Sequence, residues 1–265
     1  MVADATQPAA TSSHPSGHAF PELNSHFPWD DFDSSWYFDH NYKVLRDDDR
    51  QIIEIVRDFF VTLDPSSHRC RYGIDVGSGT NLYPALTMLP LCDKTTLYEY
   101  ATSNVSWLQR EMELYSQSWD PFWDLLAKEP LYKSVDSPRK ALAAKARVET
   151  GSVFDLPEWR WDIGTMFFVA ESLSSELSEF QAALGSFLRS LRPGAPFAAA
   201  FMENSSGYDV STHRFPAVAI TANDVEICLA GATEDLEIHR IGTTSSPLRD
   251  GYEGMILAIG RARTE

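Results

Sequence analysis

Apolar and polar positions along this chain alternate in two periods, and the switches between them mark out its elements. Ile52, Ile53, Ile55, Val56, Phe59, Phe60 and Leu63 recur at helical spacing after Asp47-Asp48-Asp49-Arg50. An amphipathic helix is predicted there, ended by Asp64-Pro65-Ser66-Ser67. Short apolar runs predict strands at 72–76 and 95–99, with helices from about Leu82 and from about Ser103 to Leu114. Further strands are predicted at 147–150, 162–169 and 196–202. The amphipathic stretch from about Glu176 to Leu191 is a helix that Arg192-Pro193-Gly194 stops. A helix near 222–230 precedes two last strands, about 234–242 and 252–261. Strand and helix take turns until that final pair, so the pattern predicts an α/β fold ending in an antiparallel hairpin.

Three segments depart from the rhythm. Residues 1–26 are rich in Ala, Ser, Thr, Pro and His with no apolar period, and they read as a disordered tail. The single domain then spans 27–265. Its first part, 27–64, opens with Phe27, Trp29, Phe32, Trp36, Tyr37, Phe38 and Tyr42 interleaved with aspartates, a composition suited to a lid. Trp29 and Trp36 are expected to pack on the sheet. Residues 115–147, with Trp119, Pro121, Phe122, Trp123, Pro130 and Tyr132 and an Ala-rich helix from about Pro138, read as an insertion beside the pocket.

Charge narrows the choice of partner. The 265 residues carry 22 Lys and Arg against 38 Asp and Glu, a net charge of −16. So acidic a chain is not expected to hold nucleic acid, whose phosphates need a basic footprint. No apolar run approaches the roughly 18 residues of a membrane span, and the start lacks a secretory signal. Cys70, Cys92 and Cys228 are odd in number and far apart, which suits reduced thiols in a cytoplasmic protein and no metal site. The oligomeric state is expected to be monomer or homodimer.

The candidate chemistry lies at two adjacent strand ends. Strand 72–76 runs into Gly77-Ser78-Gly79-Thr80-Asn81, and strand 95–99 ends on Glu99. An α/β sheet binds nucleoside-like ligands at such ends, with glycines for close backbone approach and an acid for the ribose diol. No Lys follows the glycines, so this is no triphosphate loop, and Leu82 stands where a dinucleotide site needs a third Gly or Ala. S-adenosylmethionine, which has no phosphate, fits better, and its carboxylate could take amides at the start of the next helix. A nicotinamide-dependent oxidoreductase and a non-catalytic binder of the same cofactor are the alternatives.

These residues resemble class I S-adenosylmethionine-dependent methyltransferases, and among them the nicotinamide, phenylethanolamine and thioether N-methyltransferases. The stretch Ile74 to Tyr83 looks like that family's cofactor loop, and Leu97 to Asn104 like its second motif. Tyr37-Phe38-Asp39-His40-Asn41-Tyr42 is similar to its tyrosine-bearing segment. The resemblance implies a Rossmann-like, mostly parallel sheet with helices on both faces, and a cofactor site of Tyr37, Tyr42, Gly77, Ser78, Gly79, Thr80, Asn81, Tyr83, Glu99, Tyr100, Asn104 and Phe168. Ser152 and Val153 fall where the family usually carries an Asp for the adenine. Glu203 falls at the family's substrate-contacting acid.

Acceptor-site candidates lie where strand ends meet the lid: Phe168, Glu171 and Ser172 after one strand, Glu203 and Tyr208 after the next, and His213 beyond. Tyr37, Glu171, Glu203 and Tyr208 are expected to touch the substrate, and Glu203 or His213 to act as base if the acceptor must lose a proton. The expectation is a methyltransferase for a small-molecule acceptor, nitrogen favoured, with S-adenosylhomocysteine as product.

Overall fold

The apolar runs assemble into one seven-stranded sheet in the computed structural model, which describes residues 23–63, 70–242 and 252–263. The N-terminal elements are α1 (Ser34–Asn41), α2 (Asp47–Val61), β1 (Cys70–Val76), α3 (Tyr83–Met88), β2 (Cys92–Glu99) and α4 (Thr102–Leu114). Next come α5 (Asp120–Leu126), α6 (Pro130–Lys133), α7 (Pro138–Lys145), β3 (Ala146–Thr150) and β4 (Ile163–Phe167). The chain continues through α8 (Leu177–Ser190), β5 (Pro196–Glu203), β6 (Tyr208–Val210), β7 (His213–Phe215), α9 (Ala222–Ala230), β8 (Thr233–Ile241) and β9 (Gly254–Ala262). The sheet order is β3-β2-β1-β4-β5-β9-β8. Strands β1 to β5 run parallel, while β9 is antiparallel to both β5 and β8. The expected Rossmann-like sheet with its terminal hairpin is present, and β6–β7 adds a small separate hairpin.

Helices cover both faces, and each face has its own core. On one, α2, α3, α4 and α5 bury Ile52, Phe60, Leu86, Trp107 and Phe122 against Leu97 and Ile163. On the other, α8 and α9 bury Phe180, Phe187 and Val225 against Ile74, Met166 and Phe197. Strand β5 is buried on both sides along Phe197–Met202, which is why it reads as an unbroken apolar run rather than an alternation. Thr221 and Asp224 form a reciprocal cap that fixes where α9 begins.

Two sequence expectations change. The predicted disorder of residues 1–22 lies outside the described residues, but the same expectation for 23–26 does not hold. Asn24–His26 form a short 3-10 turn, and the Asn24 amide donates to the Glu179 carboxylate at 2.8 Å. Residues 115–147 do not line the cavity at the carboxyl ends of the strands. Their Trp119, Phe122, Leu126 and Tyr132 are core side chains, and the Tyr132 hydroxyl donates to the Thr87 carbonyl at 2.7 Å. The apolar content that marked this segment as unusual is spent against α2 and α3. No described helix is long and apolar enough to cross a membrane.

Candidate active site

Strand β1 is followed by β2 on one side of it and flanked by β4 on the other, so connections leave in opposite directions there. A crevice opens at the carboxyl ends of strands at such a switch point. The turn after β1 fills its floor. Gly77 has φ +64°, and a Cβ on it would lie 2.5 Å from Cγ2 of Val169, which follows β4. Only glycine lets these two strand ends approach. The Gly77 amide donates to the Tyr98 carbonyl at 2.7 Å, tying the turn to β2. Phe168, just past β4, has φ +62°, and its amide donates a hydrogen bond of 2.7 Å to the Ala200 carbonyl. The resulting cavity encloses about 850 Å³ including its open mouth.

One half of the cavity is polar. Glu99 ends β2 with its carboxylate buried, accepting from the amides of Gly79 (2.7 Å), Tyr100 (2.8 Å) and Ala101 (2.9 Å). Burial pushes its pKa up, while those amides and the Asn104 side chain pull the other way. Oε2 accepts the Gly79 amide and keeps lone-pair capacity for a ligand hydroxyl. Thr80 Oγ1 and Asn81 Nδ2 are buried with no hydrogen-bond partner among the described residues. Ser152 and Val153 line the far wall with Tyr100 and Ala101. Gly151 stands beside them because a Cβ there would collide with the Tyr98 hydroxyl. No Lys or Arg is among the described residues that line the cavity.

The other half is aromatic. Trp29, Phe32, Tyr37 and Tyr42 from the N-terminal segment face Phe167 at the end of β4, Phe168 just past it and Tyr208 from β6. Trp29 and Phe32 pack on Phe215 of β7 with ring centroids 5.0 and 5.3 Å apart, and Tyr37 meets Tyr208 edge-on at 6.1 Å. Trp29 therefore roofs the cavity and does not merely pack on the sheet. Trp36 instead stacks on His40 at 3.6 Å, half-buried. Polar ties seat the segment on α4: Asp30 accepts from the Thr102 amide and hydroxyl (3.1 and 2.8 Å), and Ser34 donates to Asn104 at 2.7 Å.

Residues 23–262 match the profile of the NNMT/PNMT/TEMT family. The chain belongs to that family. Its members are S-adenosylmethionine-dependent methyltransferases, and the described fold agrees. No curated protein matches the sequence. Among solved structures, the chain is similar to the N-methyltransferase NodS of Bradyrhizobium japonicum WM9 in complex with S-adenosyl-L-homocysteine. The two are 12% identical over 88% of this chain and 93% of that one, with a TM-score of 0.54. It is also similar to the 1,6-didemethyltoxoflavin-N1-methyltransferase of Burkholderia thailandensis, at 13% identity over 87% and 85% of the two chains, TM-score 0.52. The [4+2]-cyclase SpnF is as close, at 14% identity over 82% of each, TM-score 0.51. At these identities the likeness is one of fold, and the same fold carries different reactions.

Most of the NNMT/PNMT/TEMT-type site residues read from the sequence meet in this cavity: Tyr37, Tyr42, Gly77 to Asn81, Glu99, Tyr100, Asn104, Ser152, Val153, Phe168 and Tyr208. Four do not line it. Tyr83 is buried on α3 between Tyr42 and Phe122, and its amide is already taken by Asn81 Oδ1 at 3.1 Å. Glu171 is fully buried and accepts from the Met202 amide at 3.1 Å, so it joins the loop after β4 to β5. Glu203, the last residue of β5, pairs with Arg240 on β8 at 3.4 Å. His213 is exposed at the start of β7. Of the residues missed, Asn24, Trp29 and Phe32 lie beyond any motif. Ser172, in the 3-10 turn after β4 and expected from the sequence as a strand-end candidate, does line the cavity.

Proposed function

We propose that the polar half of the cavity binds S-adenosylmethionine and that the aromatic half presents a small, largely apolar acceptor whose nitrogen takes the methyl group. The cofactor fits the residues present. Glu99 suits a ribose hydroxyl, and the Thr80 hydroxyl and Asn81 amide, buried and unpartnered in the described residues, suit a carboxylate. A lining without Lys or Arg disfavours phosphate-bearing cofactors, whereas aromatic faces suit a sulfonium cation. Bound there, the cofactor supplies a methyl group already activated by its positive sulfur.

What the chain must add is alignment and dryness. Trp29, Phe32, Tyr37 and Tyr208 exclude water and hold a flat acceptor. The single observation that carries the acceptor reading is that, among the described residues lining the cavity, Glu99 at the cofactor end is the only acid and there is no His, Lys or Arg. An acceptor that needs no base, such as a nitrogen with a free lone pair, is therefore favoured over a hydroxyl. Glu203 and His213, expected as bases, stand away from it.

Calorimetric titration with S-adenosylhomocysteine tests the cofactor half, and Glu99→Ala should weaken that binding by about 1–3 kcal/mol while far-UV circular dichroism stays unchanged. Absence of binding at millimolar ligand removes the reading. A panel of neutral amines and aza-aromatics with labelled cofactor tests the acceptor half. Tight binding without turnover on any of them would instead indicate a cofactor-binding protein.

A further inference from the structure

The opposite end of the sheet carries a second, unrelated cavity. The crossover from β3 to β4 contains no α-helix, only a 3-10 turn at Val153–Asp155 and an extended return. The amino ends of β1, β2 and β3 are left open on that face. Tyr72 and Lys94 are register partners there, and Arg147 pairs with Thr96 two residues further along β2. Together with Arg160, Trp161 and Arg192 they line a groove of about 700 Å³. Among the described residues, four cationic side chains and no carboxylate line it, on a chain whose net charge is −16.

These cations are held in place. Arg147 and Arg160 share one oxygen of Glu149, at 2.7 and 2.9 Å, and Arg160 also lies over the Trp161 ring at 4.7 Å. Arg192 pairs with Asp162 at 2.6 Å, and Asp162 in turn accepts the amides of Arg71 and Tyr72 at 2.9 Å. The Trp161 indole reaches Thr96 at 3.4 Å, fixing the floor. Lys94 has no ion pair among the described residues. Four cations against two carboxylates leave two positive charges unanswered.

We propose that this groove is a binding site for a small dianionic oxyanion, of the phosphate-monoester or diphosphate class. Guanidinium groups pre-oriented by carboxylates suit the several acceptor oxygens of such a ligand, with Lys94 as the free point charge. The patch is too short, and the rest of the chain too acidic, to follow a nucleic-acid backbone. From Tyr72 to Gly77 is five strand residues, so about 16 Å separates this site from the cofactor cavity. The proposal does not depend on the methyltransferase reading.

The test is calorimetric titration of the full chain with inorganic pyrophosphate and, separately, glycerol phosphate, with saturating S-adenosylhomocysteine present to block the other cavity. Wild type is expected to bind one equivalent and to lose affinity as salt is raised. Lys94→Glu should weaken binding about tenfold or more, whereas Lys140→Glu, an exposed lysine on α7, should not. Both variants should bind S-adenosylhomocysteine as wild type does. No heat with either anion at millimolar concentration, or equal losses in the two variants, overturns the proposal. So does sedimentation showing that wild type self-associates and Lys94→Glu is monomeric, because the groove would then take an acidic surface of a second copy. If S-adenosylhomocysteine itself fails to bind, the titrations are run without it and judged by the same comparison.

Discussion

Two buried carboxyl groups stand behind the cavity floor. Asp75 on β1 accepts from the Thr165 hydroxyl at 2.8 Å, and burial pushes its pKa up to about 7. Asp49 on α2 is pushed up to about 7 by burial and then by the neighbouring charge of Asp48. In the unfolded chain both return to the ordinary range near 4. The native state therefore binds more protons between these limits, so unfolding free energy falls as pH rises through them. The contribution is fully present below about pH 4 and gone above about pH 7. Asp75→Asn cannot titrate. Its unfolding free energy from urea titration should fall less than that of wild type between pH 5 and pH 8, by an amount on the order of a few kcal/mol at most. Parallel curves for the two proteins would assign the slope to other groups.

At the level of elements, the turn after β1 shows how much of the site local sequence contains. Gly77 to Asn81 and Glu99 were readable because each follows its own strand, and the strands declare themselves by their apolar runs. Gly77 is also the point where two strand ends meet, which the sequence does not state. Gly77→Ala meets both a left-handed backbone and the Val169 side chain, and it should lower stability by about 1–3 kcal/mol. Adding Val169→Ala removes the collision but not the backbone cost, so urea unfolding of the double variant should recover only part of the loss. Other elements left no trace in the periodicity. Helix α1, Ser-Ser-Trp-Tyr-Phe-Asp-His-Asn, has no apolar stripe, because its rings point to different neighbours. Strands β6 and β7 are three residues each, too short for an alternation to show.

For the molecule as a whole, what sequence reading could not reach is whatever depends on distant segments meeting. The position of Glu171 after β4 marked it as a ligand contact, but its surroundings bury it wholly beneath β5. Residues 115–147 read as a wall of the acceptor pocket, but their Trp119, Phe122, Leu126 and Tyr132 are core. The aromatic roof is the clearest case, since Trp29, Phe32 and Tyr37 meet Tyr208 and Phe215 across most of the chain. Phe215 is the ring both sides share. Phe215→Ala should cost about 3 kcal/mol of stability and raise the acceptor KM. Affinity for S-adenosylhomocysteine should stay within about threefold, because Glu99, Thr80 and Asn81 are untouched. Equal damage to both ligands, measured by calorimetry and steady-state kinetics, would mean that the roof shapes the cofactor half too.

The roof also sets an order of events during synthesis. Its first half leaves the ribosome early, but Asn24 finds its partner at Glu179, and Phe32 finds its partner at Phe215. A nascent chain stopped short of β6 already contains the glycine turn and Glu99, yet has nothing to close over them. Until then Trp29 and Phe32 lack the Phe215 ring they pack against. The cavity is among the last parts of the protein to come into being.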